Sequence, residues 1–378
     1  MLTRRTAGLL AAALTIALAP PLSGTARADG NWIKQMLDDF DTAEKSAQGR
    51  SVKVAVLADG VAEIPSLKGR LDKEHDLVRT PRPYRKMGTL AAAMIAGEGA
   101  LAPQARVLPV RVHADKEDPG GKRWLEKNHD WNALIARGIR YAADHGADVI
   151  VTSAWAGKDD QLLGSVAHAH GKNAVVVAAA GLQAPTDLRY PVAQTGVIGV
   201  GATDAFGRRD KKYTKASSTV LVSAPGIRTP SIGADGREWA YWGDAPAVSW
   251  VAAAVTLVKA KYPKLPPGQV NEVISRSARH PSGAGRYDTD IGYGYVNPAG
   301  ALKEAAKLTP GPAAIPKGPV ADSAHFGGGP ETIRAVPYNV PWLIGFGALG
   351  VAGLVALGAA IFLAVRRRPA ESSDAGRS

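Results

Sequence analysis

The chain has 378 residues, a formal net charge of +12 and no cysteine, and 46% of its residues are hydrophobic. That length supports a full-sized core, while the missing cysteines exclude disulfides, thiolate metal sites and a cysteine nucleophile. The positive charge suits anionic lipid headgroups or envelope polymers, and its ordinary reading is a solvated, arginine-rich surface; no stretch interleaves basic and aromatic residues as nucleic-acid motifs do, so nucleic acid is not an expected partner.

In chain order, Arg4 and Arg5 precede an apolar stretch over 6–22, and Ala26, Arg27 and Ala28 give the small-x-small pattern of a signal-peptidase site. Residues 1–28 therefore read as a secretory signal, with Sec or twin-arginine export both open. Residues 29–308 alternate short apolar runs with helical stretches. The runs 52–57, 106–112, 148–153, 174–179 and 197–200 are rich in valine, isoleucine and alanine, the pattern of parallel strands buried on both faces. Helices are expected at 88–97, 131–145, 161–170, 247–262 (ended by Pro263) and 267–278. The fold class is thus α/β, a parallel sheet with helices on both faces. Proline, glycine and alanine dominate 309–341, which reads as a linker. Residues 343–365 carry no charge and are long enough to cross a hydrocarbon core of about 30 Å, so 342–365 is read as one C-terminal transmembrane helix. Arg366, Arg367 and Arg368 follow at once and place 366–378 in the cytoplasm. The expected location is the cell membrane, single-pass, with the main domain outside.

Three blocks in this frame resemble those of the subtilisin-like serine proteases, whose order is aspartate, histidine, serine. A buried strand runs through Val54, Ala55, Val56 and Leu57 into Ala58, Asp59 and Gly60; Met87, Gly88 and Thr89 open a helix of small apolar residues; Gly243, Asp244 and Ala245 open another. A fourth segment, 175–180, leads into Gly181 and Leu182, where the family has its oxyanion asparagine. The fragments Tyr190 with Pro191, 197–203, 223–226 and 292–298 also follow family order. The resemblance implies a subtilisin-like sheet and puts Ala58, Met87 and Ala245 at the catalytic positions and Leu182 at the oxyanion position. A peptidase needs a hydroxyl nucleophile, a base, an acid that holds the base, and oxyanion donors. These four residues supply none.

Neighbouring groups are poor substitutes. Asp59 should leave the strand on the face opposite residue 58. Ser249 lies one helical turn past Ala245, about 5 to 6 Å away. His113, His168 and His170 fall near strand ends, but no spacing directs one toward Ser249. The ordinary readings are a helix-packed Ser249, a turn-capping Asp59 and solvated histidines. Asp159 and Asp160 beside Lys158 are the nearest approach to a carboxylate cluster and read as a solvated turn, so neither metal nor cofactor is expected.

A leader, a subtilisin-like domain, a proline-rich linker and one C-terminal helix together resemble the mycosins, membrane-anchored proteases associated with type VII secretion, with 31–47 as the segment before the first strand. Mycosins usually carry disulfides, and this chain departs from them in having no cysteine. The expected function is a catalytically inactive, membrane-anchored pseudoprotease that binds or scaffolds, with secretion-machinery proteins or peptide ligands as partners. The alternatives are a serine endopeptidase with residual or relocated activity, and a purely structural envelope component.

Overall fold

The computed structural model describes residues 32–308, except 128 and 183–187, together with residues 349, 353–356, 358–359 and 362. The chain divides into two compact units, Met1–Gly327 and Gly328–Ser378.

The first unit is built on a seven-stranded parallel sheet. Its strands are, in chain order, β1 (Lys53–Ala58), β2 (His75–Asp76), β3 (Arg106–Arg111), β4 (Val149–Thr152), β5 (Val175–Ala179), β6 (Ile198–Thr203) and β7 (Val222–Pro225). The spatial order is β2-β3-β1-β4-β5-β6-β7, with Ala55 of β1 opposite Leu108 on one side and Ile150 on the other. Strands β4 to β7 are buried at every position, the reason they read as unbroken apolar runs rather than as alternation.

The two-residue period of a strand divides the core. Val54, Val56 and Ala58 join one cluster, with residues of α2 (Lys86–Ile95) and α6 (Asp244–Lys261). Ala55 and Leu57 join the other, with α4 (Trp131–Asp144) and α5 (Asp160–Gly171). Helix α6 is buried at 14 of its 18 positions, so it has no polar stripe to give away its orientation. The short helix α3 (Gly121–Leu125) follows β3.

Helix α1 (Trp32–Glu44) closes the first core from outside: Trp32 packs on Tyr295 at 4.3 Å between ring centres, Phe40 packs on Trp250 at 5.3 Å, and Asp39 takes a two-pronged contact from Arg279 at 2.7 and 2.8 Å. Helices α7 (Pro267–Ser277) and α8 (Pro298–Lys307) complete this layer.

The five expected strands and five expected helices are all present, with no end moved by more than three residues: the helix expected from residue 88 begins at Lys86, and the strand expected over 197–200 runs to Thr203. Strands β2 and β7, helices α1, α3 and α8, and the antiparallel hairpin of β8 (Thr229–Ile232) and β9 (Glu238–Tyr241) were not expected. The hairpin lies on α2, where the Ser231 hydroxyl donates to the Leu90 carbonyl at 2.7 Å.

In the second unit the described residues are helical, and Leu349, Leu354, Val355 and Phe362 are exposed. Among the described residues no helix is long and apolar enough to cross a membrane. Most of the 343–365 run, and the expected leader, linker and tail, lie outside the described residues.

Candidate functional site: a cleft at the strand ends

Parallel strands deliver their last residues to one edge, where α/β folds place their sites. Here β1 ends on Ala58, β4 runs out at Thr152 and Ser153, and α2 and α6 begin just above. The space between them is a cleft of about 200 Å³. Ala58, Met87 and Ala245 all line it, with Ala91, Val151 and Val248 as further apolar wall and His113, Tyr241 and Ser249 as polar groups. Leu182 does not line it; that side chain is 51% exposed.

Asp59 explains why α2 starts where it does. The first N–H groups of a helix have no partner inside it. Those of Met87 and Gly88 donate to the Asp59 carboxylate at 3.1 and 2.7 Å, so Asp59 caps a helix and not the turn expected from sequence. The approach is close: a Cβ on Gly88 would overlap the Gly60 carbonyl oxygen, which reserves position 88 for glycine. Burial pushes the Asp59 carboxyl above its ordinary 3.8, and the charge of His113 and the two N–H donors pull it back.

Ser249 stands where the helical period places it, one turn beyond Ala245. Its hydroxyl donates to the Ala245 carbonyl at 2.9 Å, the back-bond of a serine at rest in a helix. No hydrogen bond joins Ser249 to His113, although both line the cleft. Tyr241 is buried with its hydroxyl beside Ser249; burial first, then Asp244 and Asp59, hold that phenol far above its usual range, so it stays neutral.

The remaining histidines leave the site. His168 pairs with Asp144 at 2.6 Å on the α4–α5 surface. His170 overturns the expectation of solvated histidines: it is buried, its ring packs where a Cβ on Gly196 would come within 2.6 Å, and burial lowers its pKa to about 4. Asp159 is likewise more than a solvated turn, for it caps α5 by accepting from the N–H groups of Gln161 and Leu162. Among the described residues no group of three or more acidic or histidine side chains is placed to hold a metal.

Sequence reasoning passed over Asp244, the first residue of α6. Its carboxylate lies 3.8 Å from where a Cβ on Gly181 would sit, and its own N–H and that of Ala245 favour its ionised form. The residue is half-buried, and burial raises its pKa to about 6. Among the described residues no cation forms an ion pair with it. An aspartate at the first position of an otherwise apolar helix was the available signal.

The model of the subtilase family, the S8 peptidases, matches residues 49–295. The chain belongs to the subtilase family. Mycosin-3 of Mycobacterium tuberculosis is 28% identical over 397 aligned positions, covering 88% of this chain and 84% of that one. Among solved structures, MycP1 with its N-terminal propeptide removed superposes with a TM-score of 0.64 at 24% identity, over 75% of this chain and 99% of the other. A chain of the periplasmic assembly from the ESX-5 inner membrane complex gives 0.61 at 26% identity, over 80% of this chain and 90% of the other. The chain is therefore subtilisin-like and mycosin-like. It spans only 25%, 63% and 64% of the length of three other curated proteases that it matches.

Proposed function

We propose that this subtilase is a pseudoprotease: an extracytoplasmic domain, exported by residues 1–28 and anchored by residues 342–365, that binds protein or peptide partners of a type VII secretion machinery instead of cleaving them. One observation carries the reading. Where a serine peptidase joins hydroxyl, imidazole and carboxylate, Ala58, Met87 and Ala245 meet around a mainly apolar cleft.

The electrostatics point the same way. A peptidase of this fold stabilises a developing oxyanion with preorganised donors. Here the residue at the oxyanion side-chain position is Leu182, which offers no donor, and the acidic Asp244 precedes Ala245. An oxyanion would be repelled there. Binding in the groove requires apolar pockets and exposed main chain but no nucleophile, so it survives these substitutions. The mycosin relatives and the ESX-5 neighbour support the choice of secretion machinery.

A relocated hydrolase is the second reading, because His113 and Ser249 share the cleft. The test is turnover of a fluorogenic peptide library and labelling by a fluorophosphonate, with the full chain in detergent. Neither should occur. Labelling of Ser249, lost in Ser249→Ala, would establish the hydrolase instead.

A further inference from the structure

The proposed binding function leaves open which group of a partner enters the cleft. The walls of the cleft supply an answer. In a peptidase of this family the catalytic side chains themselves occupy the space between the strand ends and the two helix starts. Ala58 and Ala245 stop at Cβ, and a pocket of about 200 Å³ opens between them.

The pocket has an apolar floor. Val56, Leu57, Val151 and Val248 line it and are each no more than 4% exposed. Met87, His113 and Ala245 line it too but keep contact with solvent, so they mark its mouth. Met87 is unbranched and flexible, which lets the rim adjust to what enters.

The polar groups of the lining are largely committed. Ser249 gives its only hydroxyl proton to the Ala245 carbonyl at 2.9 Å, the Thr152 hydroxyl accepts from the Ala154 N–H at 3.0 Å, and Tyr241 stays neutral. None of the lining side chains carries a permanent charge. Asp59 is fully buried next to Ala58 and turns both carboxylate oxygens to the N–H groups of Met87 and Gly88. A charged group entering here would give up its water and find no counter-ion. A hydrocarbon group gives up nothing and leaves water with a gain.

Size narrows the choice further. An apolar cavity of about 150 Å³ stays dry and admits benzene. This pocket is somewhat larger, enough for one aromatic ring or one branched four-carbon chain.

We infer that the vacated catalytic centre is a receptacle for one uncharged apolar side chain, leucine or phenylalanine, of a partner segment lying across the cleft. The inference rests on the binding function proposed above, and the two can fail separately.

The experiment measures affinities of the full chain in neutral detergent for four acetylated, amidated peptides, Ser-Ala-Xaa-Ala-Ser, with leucine, phenylalanine, asparagine or glutamate at Xaa. Asparagine has nearly the shape of leucine without its apolar surface. Glutamate is the stringent control, because the net charge of +12 would favour it if charge decided. Leucine and phenylalanine are expected to bind about ten- to a hundredfold tighter than asparagine, the effect of burying one such side chain, and glutamate weakest. Ala245→Leu fills the pocket from the mouth and should bring the leucine-to-asparagine ratio to within about twofold; Ala58→Val fills it from the strand side and should lower the same ratio. Uptake by detergent is the same for wild type and variants, so the change in ratio reads the pocket. Equal affinities for leucine and asparagine in the wild type, or a preference undiminished in both filled variants, would overturn the receptacle while leaving groove binding intact. Failure of all four peptides, and of a random peptide library, to bind would overturn both. If neither variant folds, the wild-type ratio decides, corrected for uptake of the same peptides by detergent alone.

Discussion

Replacing Asp244 by asparagine should make the protein more stable at neutral pH, an unusual expectation for a half-buried aspartate at a helix start. The carboxyl has an ordinary pKa of 3.8 and one of about 6 in the fold. Between those values the folded chain holds more protons than the unfolded chain, so stability falls as pH rises through this interval and the deficit is constant above it. At about 1.4 kcal/mol per pH unit the deficit is at most about 3 kcal/mol. Contact with solvent reduces it, so about 1 to 3 kcal/mol is expected. Asparagine keeps the shape and an acceptor oxygen at this position and carries no charge. In a domain of this size 1 kcal/mol moves the midpoint by about 2 to 4 °C, so a gain of roughly 2 to 12 °C should appear above pH 7. Below about pH 4 it should vanish, because both side chains are then neutral. Thermal melts from pH 3.5 to 8, followed by the fluorescence of the eight tryptophans, measure the difference. A variant less stable than wild type at pH 7, or a difference independent of pH, would refute the reasoning.

His170 gives the opposite slope: its ring stays neutral in the fold to about pH 4 while the unfolded chain takes a proton near 6.5, so stability is lost as pH falls across that window, by about 3 kcal/mol at its acid end. His170→Gln should flatten this limb in urea melts at pH 7 and 4.5, and an unchanged limb would contradict the assignment. Arg111 is fully buried and bridges Asp118 at 3.0 Å and Asp76 at 3.2 Å, with Thr80 also in contact. Arg111→Met strands the buried Asp118 and should lower the unfolding free energy by about 3 to 5 kcal/mol; a loss under 1 kcal/mol would show that the network carries little. Installing Ala58→Asp, Met87→His and Ala245→Ser together should give no detectable peptide turnover. A missing oxyanion donor alone costs about 10²- to 10³-fold, and the Asp244 charge adds to that. Adding Leu182→Asn and Asp244→Thr should then raise turnover, and activity from the triple variant alone would count against an obstructed oxyanion site.

The sheet was legible in the sequence because its interior strands are buried on both faces and leave continuous apolar runs. The hairpin was not, since Glu238, Trp239 and Ala240 are all exposed and break the alternation of 229–241; the Asp235-Gly236 pair in its turn was the overlooked sign. Motif order brought Ala58, Met87 and Ala245 to one place but could not choose among three histidines, because distance across a sheet is not written in local spacing. Only His113 reached the cleft. Asp244 escaped notice for a related reason: whether a carboxylate finds a cation depends on chain folded in from elsewhere.

The bonds that hold Met87 and Gly88 to Asp59 are made by main-chain N–H groups, and they take no account of the side chain at position 58 or 87. The mouth of the cleft therefore keeps its outline when its lining changes. A lineage could discard hydrolysis there one residue at a time without collapsing the fold, and a protein engineer could use the same freedom in the other direction, treating positions 58, 87 and 245 as three exchangeable studs on a fixed frame.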